Sequence, residues 1–191
     1  MLRVAVVDDH HAVRLGLQAA IRAEPGLAVT GVSADGAGVP AMLRAASPDV
    51  VLLDYRLPDT DGLSLCRTIK GQSSAPGVIL YSAFADAAMI VPAAVAGADA
   101  IVHKGGHTRG LLDTIRLVAR GGKAMPAVPP GLLEAVGALL DEQDLPVLAL
   151  LLEGAEPAVI AEALALVPDE LAGRIDGMLQ RLHVPVALGT G

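Results

Sequence analysis

The 191-residue chain is 53% hydrophobic but only 2% aromatic, carries a net charge of −7 and contains one cysteine, Cys66. Its length suits two small domains, its aliphatic residues can form packed cores, and a single cysteine excludes an intrachain disulfide framework. The apolar start of the chain meets Asp8 and Asp9 after seven residues, too early for a signal peptide or a membrane span, so we expect a soluble, cytoplasmic protein with no membrane partner.

The first 121 residues alternate short apolar runs with helical stretches. The apolar runs predict strands over 2–7, 27–32, 50–54, 78–82 and 100–103. Between them, helical periodicity predicts helices over 11–23, 39–46, 63–70, 87–96 and 108–120. Runs this short and apolar are typical of strands covered on both faces by helices. Five β–α repeats of this kind predict an α/β fold with a parallel, doubly wound sheet.

Five polar residues stand at or just beyond the ends of these strands. In parallel sheets ligands bind at the carboxyl ends of the strands, which selects Asp8, Asp9, Asp54, Ser82 and Lys104. Clustered carboxylates repel one another and call for a hard cation such as Mg²⁺. Beside that ion, an ammonium and a hydroxyl can hold the oxygens of a phosphoryl group that is transferred to a carboxylate. The joint occurrence of these groups predicts a phosphoryl-transfer site, although each alone has an ordinary structural explanation.

Neighbouring residues admit less specific interpretations. His10 and His11 are compatible with metal ligation, but a position at the start of a helix is favoured. Cys66, on the third predicted helix, is interpreted as a packing residue. Tyr81 and Phe84 flank Ser82, and both are expected to be buried.

Four segments resemble the receiver domain of bacterial two-component response regulators, and the first is similar to the NarL/FixJ subfamily. They are VAVVDDHHAVRLGL, VVLLDYRLPDTDGL, VILYSAF and GADAIVHKGG. The resemblance spans residues 2–121. It implies a flavodoxin-like, five-stranded domain that is not itself an enzyme and takes its phosphoryl group from a sensor histidine kinase.

The resemblance also implies a role for each site residue. Asp54 would be the phosphoacceptor, Ser82 the switch hydroxyl and Lys104 the phosphate partner. The Mg²⁺ ligands would be Asp8 (largely through water), Asp9, Asp54 and the backbone carbonyl of Arg56. An alternative, a receiver-like domain that is never phosphorylated, is disfavoured because the polar set is complete.

Two positions depart from the receiver pattern. Ile101 stands three residues before Lys104, where receivers normally carry an aromatic ring that moves inward after phosphorylation, so we expect that part of the switch to be compromised. Pro92 falls inside the fourth predicted helix, where it should kink the helix or delay its start. Neither residue belongs to the predicted chemistry.

The Gly- and Pro-rich segment 122–131 predicts a linker, and residues 132–191 form a second predicted domain. This domain carries two basic and ten acidic residues, a net charge of −8. Residues 140–184 resemble the helix-turn-helix of LuxR-type regulators. Leu171, Ile175, Leu179 and Leu182 are expected on the inward face of its second helix. Residues 186–191 supply no further helix for pairing two such domains, so dimerisation by that route is not expected.

The surface of this second domain leaves its target open. A recognition helix meets DNA with basic and small polar side chains, yet Arg174 and Arg181 are the only cations here and therefore the only candidates for DNA contact. Two hypotheses follow. The protein is either a DNA-binding transcription regulator or a phosphorylation switch whose second domain binds a protein partner. That partner would be a polymerase component or a related regulator, and with a related regulator it would form a heterodimer. A homodimer is possible under both hypotheses.

Overall fold

The computed structural model describes residues 1–83 and 86–182, and the chain divides after Ala127 into two compact units. The first unit contains five strands: β1 Leu2–Val7, β2 Leu27–Ser33, β3 Val50–Leu53, β4 Gly77–Ser82 and β5 Ala100–His103. Its helices are α1 His11–Ala23, α2 Val39–Ala46, α3 Gly62–Lys70, α4 Ala87–Ala96 and α5 Thr108–Val118. The strands form one parallel sheet in the order β2-β1-β3-β4-β5. The predicted α/β fold is confirmed.

The core of this unit explains why the strands are apolar along their whole length. Every residue of β3 is buried, as are the last four residues of β1. One buried cluster joins the sheet to α1 and α5, with Ile21, Leu52, Ile79 and Ile115 among its members. Because side chains alternate between the two faces of a strand, such complete burial requires helices on both faces of the sheet.

The strand order places the ends of β1 and β3 side by side. Val7 pairs with Leu53 in register, and the amide of Asp54 donates to the carbonyl of Val7 at 2.8 Å. Since β2 lies on the other side of β1, the direction of the chain crossovers changes here, and a crevice opens at such a point. The residues that follow β1 and β3, Asp8 and Asp54, therefore meet at its floor.

The predicted helix and strand limits agree with the structure to within two residues. Helix α4 begins at Ala87 although Pro92 lies inside it, so the proline does not delay its start. The predicted linker, residues 122–131, agrees less well with the structure. Ala124 donates to the carbonyl of Asp99 at 2.8 Å and forms a bridge with Ala100, so the first part of 122–131 belongs to the first unit. The last two linker residues instead begin a helix at Pro130, a residue type favoured in a first turn.

The second unit is helical throughout its described part. It contains α6 Pro130–Gly137, a 3₁₀ helix Glu142–Asp144, α7 Leu145–Leu152, α8 Pro157–Ala163 and α9 Pro168–Leu182. The buried face of α9 comprises Leu171, Ile175, Met178 and Leu182. Met178 thus takes the place predicted for Leu179, which is half-buried. Residues 183–191, which include the segment expected to supply no further helix, lie outside the described residues, as does Phe84.

Across the described residues, none of the helices combines the length and the apolar character needed to cross a membrane.

Candidate functional site

Asp8, Asp54 and Lys104 form the buried floor of the candidate site. Asp8 is 1% exposed and Asp54 is 4% exposed. Lys104, just beyond β5, places its Nζ 2.6 Å from Asp54 Oδ2 and 2.7 Å from Asp8 Oδ2. One ammonium therefore bridges two carboxylates that would otherwise repel each other. The fold therefore brings these three residues together at the strand ends, where the sequence predicts them.

Burial is the largest influence on the pKa of Asp54. Burial raises the pKa of Asp54 above its ordinary value, and although the hydrogen bond from Lys104 lowers it, the net shift is upward. For Lys104, burial by itself lowers the pKa, but its hydrogen bonds and ion pairs with Asp54 and Asp8 outweigh burial and raise it. The lysine is thus held in its charged form beside Asp54.

Asp9 and His10 form the exposed rim of the same pocket. His10 Nδ1 lies 2.5 Å from Asp9 Oδ1, 3.4 Å from Asp8 Oδ1 and 3.8 Å from Asp54 Oδ2. His10 stands at the N-cap of α1, which agrees with the position at a helix start predicted for it. Its ring, however, also joins the acidic cluster, and no pattern in the sequence predicts that placement.

The loop after β3 holds the chain around Asp54. The amide of Arg56 donates to Asp54 Oδ1 at 3.4 Å. Asp61 caps α3 by accepting from the amide of Ser64 at 2.9 Å. Gly62 lets α3 pass directly against this loop, since a Cβ at that position would collide with the carbonyl oxygen of Asp54 and the backbone of Tyr55. The start of α3 therefore fixes the backbone of the candidate phosphoacceptor.

A second contact ties this loop to its neighbour. The carboxylate of Asp59 accepts hydrogen bonds from the amides of Gly36 and Ala37, each at 2.8 Å. These bonds, led by that from Gly36, lower the pKa of Asp59. The loops after β2 and β3 are thus joined to each other.

The ends of β4 and β5 carry the remaining predicted residues of this unit. Ser82 is 1% exposed, and its carbonyl accepts from the amide of Lys104 at 2.9 Å. Ile101 lies in β5 and is buried. Tyr81 is half-buried rather than fully buried as expected, and its hydroxyl donates to the carbonyl of Lys104 at 3.4 Å. Lys104 Nζ stands 5.9 Å from the centre of the Tyr81 ring.

The oxygen atoms of this pocket suit a hard divalent cation. Four potential ligand atoms, one each from Asp8, Asp9, His10 and Asp54, lie within 4.8 Å of one another. Mg²⁺ prefers carboxylate oxygens and retains several waters, which the open rim at Asp9 allows. The residues present therefore fit the cation that the sequence predicts.

The two candidate DNA-contacting arginines are engaged within the second unit. Arg181 Nη1 lies 2.6 Å from Oδ2 of the buried Asp144, and its Nη2 lies 3.0 Å from Asp141 Oδ2. Arg174 donates to the carbonyl of Gln143 at 2.8 Å and pairs with Glu170 at 2.8 Å. Both cations of the predicted recognition surface therefore already have acidic or carbonyl partners.

Comparisons with known proteins agree with this architecture. The sequence profile of the response regulator receiver domain matches residues 4–116. The chain is 29% identical to the transcriptional regulatory protein LiaR of Bacillus subtilis, with 96% of this chain and 92% of LiaR covered. It is 31% identical to the DNA-binding transcriptional activator DevR/DosR of Mycobacterium tuberculosis, with 95% and 88% covered.

A solved structure extends the likeness to three dimensions. The crystal structure of a LuxR-family two-component response regulator from Aurantimonas sp. SI85-9A1 superposes with a TM-score of 0.61 at 29% identity. The match covers 71% of this chain and 95% of that one. Because the receiver profile spans more than half of the chain and a regulator is matched along nearly all of it, the protein belongs to the response regulator receiver family.

Proposed function

We propose that the protein is phosphorylated on Asp54 by a sensor histidine kinase and that this event regulates transcription. The observation that carries the proposal is the bridging of Asp54 and Asp8 by one ammonium, that of Lys104, at the carboxyl end of the sheet. A carboxylate beside a fixed cation can attack phosphorus, because the cation offsets the charge on the transferred oxygens. The role in transcription is supported by LiaR and DevR/DosR, both named as regulators of transcription.

In this proposal a carboxylate oxygen of Asp54 forms a bond to phosphorus as the phosphorus–nitrogen bond of the kinase phosphohistidine breaks. The imidazole nitrogen of the kinase keeps the electron pair of the broken bond. Lys104 and the hydroxyl of Ser82 would then hold the phosphoryl oxygens. Asp8, Asp9, Asp54 and the carbonyl of Arg56 would hold Mg²⁺, which supplies positive charge next to the transferred group.

A mass measurement tests the proposal directly. The full-length protein is incubated with Mg²⁺ and acetyl phosphate, and the intact mass is compared with those of Asp54→Ala and Asp113→Ala. Asp113 is an exposed aspartate of α5, far from the acidic cluster in sequence, and serves as the matched control. We expect the wild type and Asp113→Ala to gain one phosphoryl group and Asp54→Ala to gain none. A gain that persists in Asp54→Ala contradicts the proposal.

Because Arg174 and Arg181 are both paired, a second candidate is favoured for the way in which the second domain regulates transcription. Non-specific DNA affinity depends on cations that neutralise phosphates. Here Arg174 and Arg181 pair with acidic residues of their own unit, and the rest of the second domain adds no other Lys or Arg to its ten acidic residues. This observation supports a domain that regulates transcription through a protein partner, a related regulator included, rather than through direct DNA contact.

A mobility assay with duplex DNA separates the two outputs. Full-length protein, with and without acetyl phosphate, is titrated over a range of salt concentrations. If the second domain acts through a protein partner, we expect no tight DNA binding with or without acetyl phosphate. Tight binding that weakens steeply with salt would instead establish the DNA-binding output.

A further inference from the structure

His10 adds an imidazole nitrogen to the carboxylate oxygens of the potential metal ligands. Its Nδ1 belongs to the group of four potential ligand atoms that lie within 4.8 Å of one another. The two oxygens of Asp8 are divided between neighbours, since Oδ2 pairs with Lys104 at 2.7 Å while Oδ1 faces His10 Nδ1 at 3.4 Å. The imidazole thus stands on the side of Asp8 that the lysine leaves open.

The backbone of His10 is held against Asp8. The amide of His10 donates to Asp8 Oδ1 at 2.8 Å, and Arg14 donates to the carbonyl of Asp8 at 2.6 Å. His10 is the N-cap residue of α1, yet its side chain makes no capping hydrogen bond. The ring is thus not used to cap the helix, and its Nδ1 faces the carboxylates of Asp8 and Asp9.

Nitrogen and oxygen ligands favour different cations. Mg²⁺ binds oxygen atoms, whereas imidazole suits Zn²⁺ and related transition ions, which bind mixed nitrogen and oxygen sites more tightly. We propose that His10 is a ligand for a first-row transition ion such as Zn²⁺, which binds this pocket in competition with Mg²⁺. The inference deepens the proposed function and rests on it, because it concerns the cation site beside Asp54.

A different role for the ring predicts the opposite effect. The 2.5 Å separation of His10 Nδ1 from Asp9 Oδ1 also suits a protonated ring that acts as a counter-cation. Removing a positive charge from an acidic pocket would strengthen the binding of any divalent ion. Removing a ligand weakens the binding of the ion that uses it and leaves Mg²⁺ binding nearly unchanged. The sign of the change therefore distinguishes the two roles.

Calorimetric titration of the full-length protein with Zn²⁺ and with Mg²⁺ tests this inference. His10→Ala is compared with His11→Ala, the matched control, because His11 is the exposed first residue of α1 and does not belong to the cluster. We expect His10→Ala to weaken Zn²⁺ binding by about tenfold or more and to leave Mg²⁺ affinity within about twofold. His11→Ala should change neither.

Unchanged or tighter Zn²⁺ binding by His10→Ala overturns the inference, as does an equal loss in His11→Ala. His10→Asn, which keeps a residue type favoured at N-caps, provides a second variant in case the alanine variant does not fold. Binding of Co²⁺, measured by its visible absorption, gives an independent readout, since losing a nitrogen ligand changes that spectrum.

These titrations contain no phosphodonor, so the inference and the proposed function can fail separately. His10-dependent Zn²⁺ binding without phosphorylation of Asp54 would leave the inference standing and remove the proposed function. If Asp54 were phosphorylated but His10→Ala bound Zn²⁺ as tightly as the wild type, the proposed function would stand and the inference would fail.

Discussion

Lys104 is the residue on which the stability of the pocket depends. Replacing it in Lys104→Met leaves Asp8 and Asp54 buried next to each other without a cation. Loss of one partner from a fully buried pair costs about 3–5 kcal/mol. The lysine side chain is 15% exposed and a carboxyl can take up a proton, so we expect a smaller loss of about 1–3 kcal/mol at neutral pH.

The loss in Lys104→Met should grow with pH. The pKa of Asp54 is already raised above 3.8 by burial, and without Lys104 it rises further. A carboxyl with a raised pKa in the folded state is protonated at low pH in both states, and stability falls as the pH increases through the folded pKa. Urea denaturation at pH 5 and pH 7.5 checks this, with Lys104→Arg as the control that keeps the charge. An equal deficit at both pH values contradicts it.

Cys66 should be chemically inert in the folded protein. Its side chain is fully buried, its Sγ contacts the carbonyl of Ala96 at 3.6 Å, and burial raises the pKa of the thiol well above its ordinary value. The thiolate is the reactive form, so we expect alkylation by iodoacetamide only after unfolding. Mass spectrometry in buffer and in urea measures this, and rapid labelling in buffer would show the prediction to be wrong.

At the scale of elements, Gly62 couples helix α3 to the candidate site. An added Cβ would meet the backbone of Tyr55 at 2.7 Å and collide with the carbonyl of Asp54. We expect Gly62→Ala to destabilise the protein by about 1–3 kcal/mol and to slow phosphorylation of Asp54, because the helix start must move away from the loop. Thermal unfolding and the rate of mass gain with acetyl phosphate are the measurements.

Gly16→Ala is the matched control for that variant. Gly16 lies inside α1, and a Cβ there would meet nothing within 4 Å. Alanine is the better helix former, so this variant should gain about 0.5–1 kcal/mol. If both alanine variants behaved alike, the close approach at Gly62 would not be what constrains the site.

Arg181 holds α9 to the segment before α7. Because Asp144 is buried, Arg181→Ala should leave a buried carboxylate without its cation. Arg174→Ala instead breaks an exposed pair with Glu170 and a hydrogen bond to the carbonyl of Gln143, and leaves no buried charge. We expect faster amide hydrogen exchange within residues 140–182 in Arg181→Ala, little change in Arg174→Ala, and partial recovery in Arg181→Lys. Equal exchange in the two alanine variants would argue against a structural role for Arg181.

The elements of the first unit and the meeting of Asp8, Asp54 and Lys104 were predictable from sequence. Periodicity places polar residues at strand ends, and parallel strands bring those ends together. Two features were not predictable. The position of His10's ring depends on side-chain torsions at a helix N-cap, which no periodicity encodes. Met178 replaces Leu179 on the buried face of α9, because a 3.6-residue helix lets either of two adjacent apolar residues face inward.

For the whole molecule, the distribution of charge affects which kind of target the second domain can bind. Residues 1–131 carry a net charge of +1, and all of the excess negative charge lies in residues 132–191. A uniformly acidic protein would repel DNA everywhere, but this chain concentrates repulsion in the domain whose relatives include a DNA-binding activator. The domain that aligns with part of a DNA-binding activator is thus also the domain that carries the acidic surface.

Charge reversal on α9 tests whether the acidic surface of the second domain prevents DNA binding. Asp169, Glu170 and Asp176 are exposed on α9, and each change to lysine alters the charge by two units, so the triple variant moves from −7 to −1. We expect the wild type to show weak DNA binding and the triple variant to bind duplex DNA more tightly, with log affinity falling by about 0.9 per phosphate contact for each tenfold rise in salt. Fluorescence anisotropy with one labelled duplex at several salt concentrations measures both proteins, and circular dichroism checks that α9 is retained. Wild-type binding as tight and as salt-sensitive as that of the variant would show that the acidic surface does not prevent DNA recognition.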